Sequence, residues 1–227
     1  MNQKIIVFDA GTLISFSMNG LLDYLRELKK IFNGKFIVTK EVHHEIIDNP
    51  ITIKRFELEA LKLKQLVNEG VLELPSSIGF KDVDITKKAE EIMNLANSAF
   101  ISPNRPIHLI ERGESAAMAL VLMLKEKSID SVLAVDERTT RSIVETPEDL
   151  RIYLEKKLHT KLKVNLDNFK ELRNIKIIRS AELIYVAYKR GIVDIKIGNV
   201  LDALLYAVKF KGCAISGDEI SQIERMK

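Results

Sequence analysis

Along this chain, short unbroken apolar runs alternate with longer stretches in which apolar residues recur every three to four positions. Ile5-Ile6-Val7-Phe8, ending at Asp9-Ala10-Gly11, is too short for a helix and apolar throughout, which predicts a strand covered on both faces. A helical pattern follows through Leu13, Ile14, Leu21, Leu22, Leu25, Leu28 and Ile31, interrupted near Asn19-Gly20 and ended by Asn33-Gly34. Phe36-Ile37-Val38 is a second strand, and Thr39 is placed to cap a short helix through Ile47, stopped by Asn49-Pro50. A long amphipathic helix is expected over 52–69, closed by Gly70, with Val71 to Leu74 extended and Pro75-Ser76-Ser77 as loop.

The second half continues the alternation. A helix over 84–96 leads to an irregular stretch, 97–110, that holds two prolines. Gly113 to Lys127 is a strongly apolar helix, Ser131 to Val135 a third buried strand, and 137–144 the start of another helix. Pro147 to Arg173 reads as charged and helical, and Ile175 to Ile178 as a fourth strand. Helices are expected at 180–190, 199–211 and 218–226, the first two closed by Gly191 and Gly212. Strands alternating with helices imply an α/β sandwich with a mainly parallel sheet, in one domain spanning 1–227.

Composition narrows the class. Of 227 residues, 46% are hydrophobic and 30% charged, which suits a folded, soluble chain rather than a disordered one. The opening Met1-Asn2-Gln3-Lys4 and its short apolar run make no secretory leader, and no run approaches the ~18 apolar residues of a membrane span. A cytoplasmic location is therefore expected. The single cysteine, Cys213, excludes an internal disulfide and reads as a small buried hydrophobe. A net charge of +3 tolerates a polyanionic substrate without demanding one.

Candidate chemistry lies at the strand ends. Asp9 and Asp136 each follow an apolar run, and in an open parallel sheet ligands bind beyond the carboxyl ends of the strands. Glu114 opens a helix after Gly113, and Glu45 sits on the short helix after the second strand. Four carboxylates in one cleft repel each other unless a hard cation, Mg²⁺ or Mn²⁺, sits between them. Such a site hydrolyses phosphodiesters without a Cys or His nucleophile. Singly, each acid has a plainer reading: a helix cap for Asp9 and Asp136, dipole compensation for Glu114, a solvated helix face for Glu45. Their joint placement is what points to catalysis.

These stretches resemble the motifs of the PIN-domain ribonucleases. Val7-Phe8-Asp9-Ala10-Gly11-Thr12-Leu13-Ile14 is similar to the first motif and Val38 through Ile46, with Glu45, to the second. Arg112-Gly113-Glu114-Ser115-Ala116-Ala117 resembles the third, and Ala134-Val135-Asp136-Glu137-Arg138-Thr139-Thr140-Arg141 the fourth. The tail, from Ile177 to Val193 and from Leu201 to Ser216, resembles the family's last strand and helices. The resemblance implies a three-layer α/β/α fold and a divalent-metal nuclease acting mostly on RNA. It makes Asp9, Glu45, Glu114 and Asp136 the metal-site acids, with Thr12 and Glu137 as supporting groups. It also implies frequent homodimers and, for the many VapC-like toxins, an antitoxin partner. The small toxins are shorter; the extra length here falls near 72–108 and 142–173, and Gly11 stands where many relatives carry a small hydroxyl residue.

Lys40, Arg112, Arg138 and Arg141 flank the acids and are candidate phosphate contacts, or solvated surface. The Lys-rich stretch 156–163 is an RNA-binding face or the outer face of an inserted helix. His43-His44 would suit a transition metal, but neighbours on a helix point about 100° apart and do not readily share an ion. Two rival functions remain. A haloacid-dehalogenase-like phosphatase shares Phe8-Asp9-Ala10-Gly11-Thr12-Leu13 but would need a second aspartate that is absent. A catalytically silent PIN-like RNA-binding or scaffold module would lack the acids that are present here.

Overall fold

A computed structural model describes residues 4–103 and 105–226. Met1–Gln3, on which the expected absence of a leader partly rests, lie outside them, as do Asn104 and Lys227. The strands are β1 (Lys4–Phe8), β2 (Gly34–Ile37), β3 (Phe100–Ile101), β4 (Ser131–Ala134), β5 (Lys163–Val164) and β6 (Ile177–Ile178). The helices that precede β3 are α1 (Ala10–Met18), α2 (Leu22–Ile31), α3 (Lys40–His43), α4 (Glu57–Asn68) and α5 (Asp82–Ser98). After it come α6 (Arg112–Glu126), α7 (Arg138–Glu145), α8 (Pro147–Leu158), α9 (Ser180–Lys189), α10 (Val200–Phe210) and α11 (Gly217–Arg225).

The main sheet has the order β2-β1-β4-β6, and all its pairings are parallel. In its centre Val7 lies opposite both Ile37 and Leu133, and Phe8 opposite Ala134. The pleat sends alternate residues to opposite faces. Ile6, Phe8, Phe36 and Ala134 join a core with residues of α1, α2, α4, α9, α10 and α11. Ile5, Val7, Ile37, Leu133 and Val135 join a second core with α5, α6, α7 and α8. The fold is thus a three-layer α/β/α sandwich, and the continuous apolar character of β1 follows from burial on both faces. Among the described residues no helix is long and apolar enough to cross a membrane.

Several boundaries differ from the sequence reading. Gly34 does not close α2, which ends at Ile31 with Phe32 as its cap; it opens β2, where an added Cβ would lie 2.1 Å from the Lys4 carbonyl oxygen. Close strand approach, not a left-handed cap, demands glycine there. α3 passes into a π-helical turn, His44–Asp48, and α4 begins at Glu57 rather than near 52. The stretch 147–173 is not helical throughout. α8 stops at His159, which takes a left-handed conformation (φ 51°), and β5 and two 3₁₀ turns follow. The irregular 97–110 contains β3.

Candidate active site

Asp9 continues β1 by one residue, its N–H donating to the Ala134 carbonyl oxygen at 2.9 Å. Its extended backbone lets the side chain cap α1, and Oδ2 accepts from the Gly11 N–H at 3.1 Å. The other oxygen, Oδ1, is buried with no hydrogen-bond partner. Burial pushes the Asp9 carboxyl up to about 8, the nearby Glu114 and Glu45 charges add to it, and the Gly11 amide opposes it.

Glu114 reaches the same place from the first turn of α6. Its Oε2 accepts from the Glu111 N–H at 2.7 Å and its Oε1 from the Thr140 hydroxyl at 2.6 Å. Burial raises its pKa, Glu137 and Glu45 add to the rise, and the two hydrogen bonds work against it. Glu45 lies on the π-helical turn, packed so closely on α6 that a Cβ at Gly113 would meet its Oε2 at 2.5 Å. Burial first, then Glu111, raises its pKa as well. Glu137 is exposed and caps α7, accepting from the Thr140 N–H at 2.7 Å. Fully buried Thr140 therefore holds two carboxylates at once. Thr12 is fully buried too, its hydroxyl without a partner.

Asp136 has partners of its own. It lies two residues beyond β4 with its carboxylate at the start of α9, whereas Asp9 caps α1 in the field of Glu114. Its Oδ1 accepts from the Ser180 N–H at 2.8 Å and its Oδ2 from the Ser180 hydroxyl, in a very short contact. Burial raises its pKa, while Ser180 and Cys213 lower it by hydrogen bonding; the acid that acts on it is Glu182, not a member of the Asp9 group. Asp136 is thus an external cap for α9. The Cys213 thiol beside it is buried and its pKa is raised, first by burial and then by the Asp136 charge.

The four candidate basic residues divide into two pairs. Lys40 and Arg112 line a cavity of about 610 Å³ together with Glu45, Glu111 and Gly113. Arg138 and Arg141 line a separate one of about 510 Å³. Arg141 is tied down by the Ala214 carbonyl at 2.7 Å and Glu145 at 3.2 Å, and Arg138 lies 4.6 Å from the centre of the Tyr153 ring. Those engagements correct their assignment as contacts beside the acid group. His43 and His44 do converge, with their Nδ1 atoms 3.2 Å and 3.4 Å from one oxygen of Asp48. The π turn places that carboxylate within reach of both rings, which regular helical spacing disfavours.

Among the described residues, no group of three or more His, Cys, Asp or Glu side chains is arranged to hold a metal ion. The donors that do gather are carboxylate oxygens, the kind that Mg²⁺ and Mn²⁺ take, and Asp9 Oδ1 has no competing partner. Magnesium is commonly bound through one or two carboxylates, its remaining positions filled by water and substrate, so the donor set fits it.

The sequence reading missed Glu111, Thr140, Arg179 and Ser180. Glu111 and Glu114 at N-cap and N3 spacing were a legible clue to the first of these. Arg179, nearly buried, donates to Glu219 at 2.6 Å and to the Ala214 carbonyl at 3.1 Å, and also pairs with Glu182. Burial works against ionisation of Glu219, but the Ser216 and Arg179 donors bring its pKa down to about 2. Comparison with family models, with curated proteins and with solved structures found no match to the chain.

Proposed function

We propose that the chain is a divalent-cation-dependent ribonuclease of the PIN type, hydrolysing RNA phosphodiester bonds beside Asp9, Glu45 and Glu114. The supporting observation is Asp9 Oδ1, a buried and unpartnered oxygen at the carboxyl end of a central strand, in the field of two further acids. A proton, a hydrogen-bond donor or a cation would relieve such a group, and the field of two further acids favours the cation. A bound Mg²⁺ or Mn²⁺ would supply positive charge at the phosphoryl oxygens and a more acidic water.

The chain's own residues do the rest. Asp9 and Glu45 offer the oxygens that would hold the ion, and Asp9 keeps a proton at neutral pH until the ion displaces it. Thr140 and the Glu111 amide fix Glu114 in one orientation. Lys40 and Arg112, on the wall of the cavity that Glu45 also lines, bind phosphates flanking the scissile bond. A cytoplasmic location goes with such a substrate. Co-purification and sedimentation test the antitoxin and the homodimer that the resemblance implies.

Incubation of single-stranded RNA with the protein should give products in Mg²⁺ or Mn²⁺ and none with a chelator, and Asp9→Asn should cut at least about a hundredfold more slowly. Equal cleavage by wild type and Asp9→Asn would sink the proposal. A silent RNA-binding module is the second reading, favoured by the lack of three gathered metal ligands among the described residues. It expects binding of the same RNA without products in either ion.

A further inference from the structure

The two stretches of extra length meet each other. β3, from the first, pairs antiparallel with β5, from the second, Phe100 opposite Val164 and Ile101 opposite Lys163. Beyond β3 the chain folds back on itself. The Ser102 N–H and hydroxyl both donate to the Arg105 carbonyl, at 2.9 and 2.8 Å, Ile101 bridges to Pro106, and the Ile107 N–H donates to Phe100 at 2.8 Å. The result is a small arm built on the two-stranded β3–β5 ladder. Phe100 roots it in the core beside Phe169, ring centres 5.9 Å apart. Asn97 of α5 fixes the exit of the arm, its side-chain oxygen accepting from the Leu109 and Ile110 N–H groups at 2.7 and 3.1 Å.

The arm carries charge that the fold does not use. Arg105 and Lys163 are exposed, and neither makes an ion pair among the described residues. Arg105, His108 and Thr160 line a hollow of about 620 Å³. His108 Nε2 lies 2.9 Å from Glu111 Oε1, and Glu111 also lines the cavity that holds Glu45. The His108–Glu111 pair therefore joins the lining of this hollow to that of the acidic cavity.

We propose that this arm binds the single-stranded RNA that runs on from the scissile phosphate, with Arg105 and Lys163 contacting its backbone. The inference rests on the ribonuclease reading of the neighbouring cavity. A strand held at Lys40 and Arg112 and cut beside Glu45 runs on from a cavity that also presents Glu41 and Glu111. The adjoining hollow, with the unpaired Arg105 on its lining and Lys163 exposed elsewhere on the arm, is the attractive exit. A flexible single strand can turn from one hollow into the next, which a stiff duplex does not do.

The test measures binding of labelled single-stranded oligoribonucleotides of about four and about twelve nucleotides, in chelator so that nothing is cut. Wild type should bind the longer strand about tenfold more tightly. The exposed double variant Arg105→Glu/Lys163→Glu should lose that gain, and its salt dependence should fall by roughly 1.4 in log–log slope, about 0.7 for each phosphate contact removed. Thermal melting of the variant checks that the arm stays folded. The proposal is overturned if the variant binds the longer strand as tightly as wild type, or if an equally long duplex binds wild type as well as the single strand. Length-dependent binding without cleavage in Mn²⁺ would sink only the catalytic reading. Cleavage with no length dependence of binding would sink only the arm.

Discussion

Neutralising Asp9 should separate folding from catalysis. Its pKa stands near 8 in the folded protein against an ordinary 3.8, so the folded state binds the proton more tightly than the unfolded one. Stability is therefore greatest below about pH 4 and is lost as pH rises toward about 8. In chelator, Asp9→Asn should unfold at higher denaturant concentration than wild type near pH 8, by a few kcal/mol, with no difference near pH 4. Asp136→Ala should do the opposite, weakening the fold at neutral pH by about 2–4 kcal/mol, because the Ser180 amide and hydroxyl lose their buried acceptor. Equal responses from the two variants would show that they share one site. The aspartates look alike in sequence, each one step beyond an apolar run. Val132-Leu133-Ala134-Val135 is apolar at every position, so it carries no mark of which residues face which layer. Only the folded chain tells them apart, by their partners: Gly11 for Asp9 and Ser180 for Asp136.

The amino end of α6 is where secondary structure meets the site. Gly113 has no left-handed backbone to justify it; what it provides is room, since a methyl group there would press on Glu45 Oε2. Gly113→Ala should thus leave stability unchanged or raise it by up to about 1 kcal/mol through helix propensity. Cleavage and Mn²⁺ binding should fall together as the flexible Glu45 carboxylate is displaced. Unchanged Mn²⁺ binding, read by calorimetry, would remove Glu45 from the site. Helices such as α6 and α10 were legible because long apolar periodicity survives any tertiary context. β3 and β5, two residues each, were not: strands so short leave no period to count, and it is the pairing of distant segments that makes them. The same brevity explains why the Lys-rich 156–163 passed for continuous helix although α8 ends at Leu158.

The sheet separates two cores, and β1 is in contact with both. Native-state hydrogen exchange should accordingly be slowest at the amides of Ile6 to Phe8 and at their partners in β4, and fast in the arm and at α11. Protection greater in α11 than in β1 would contradict this division. The layered architecture could be read from the order of strands and helices, because short parallel strands joined by helices admit few arrangements. The meeting of 72–108 with 142–173 could not, since the two stretches are far apart in the chain and share no motif. Excising either stretch alone would strip the survivor of its hydrogen-bonding neighbour and bare a phenylalanine, Phe100 or Phe169, an invitation to aggregation. The two stretches therefore stand or fall together as one structural unit.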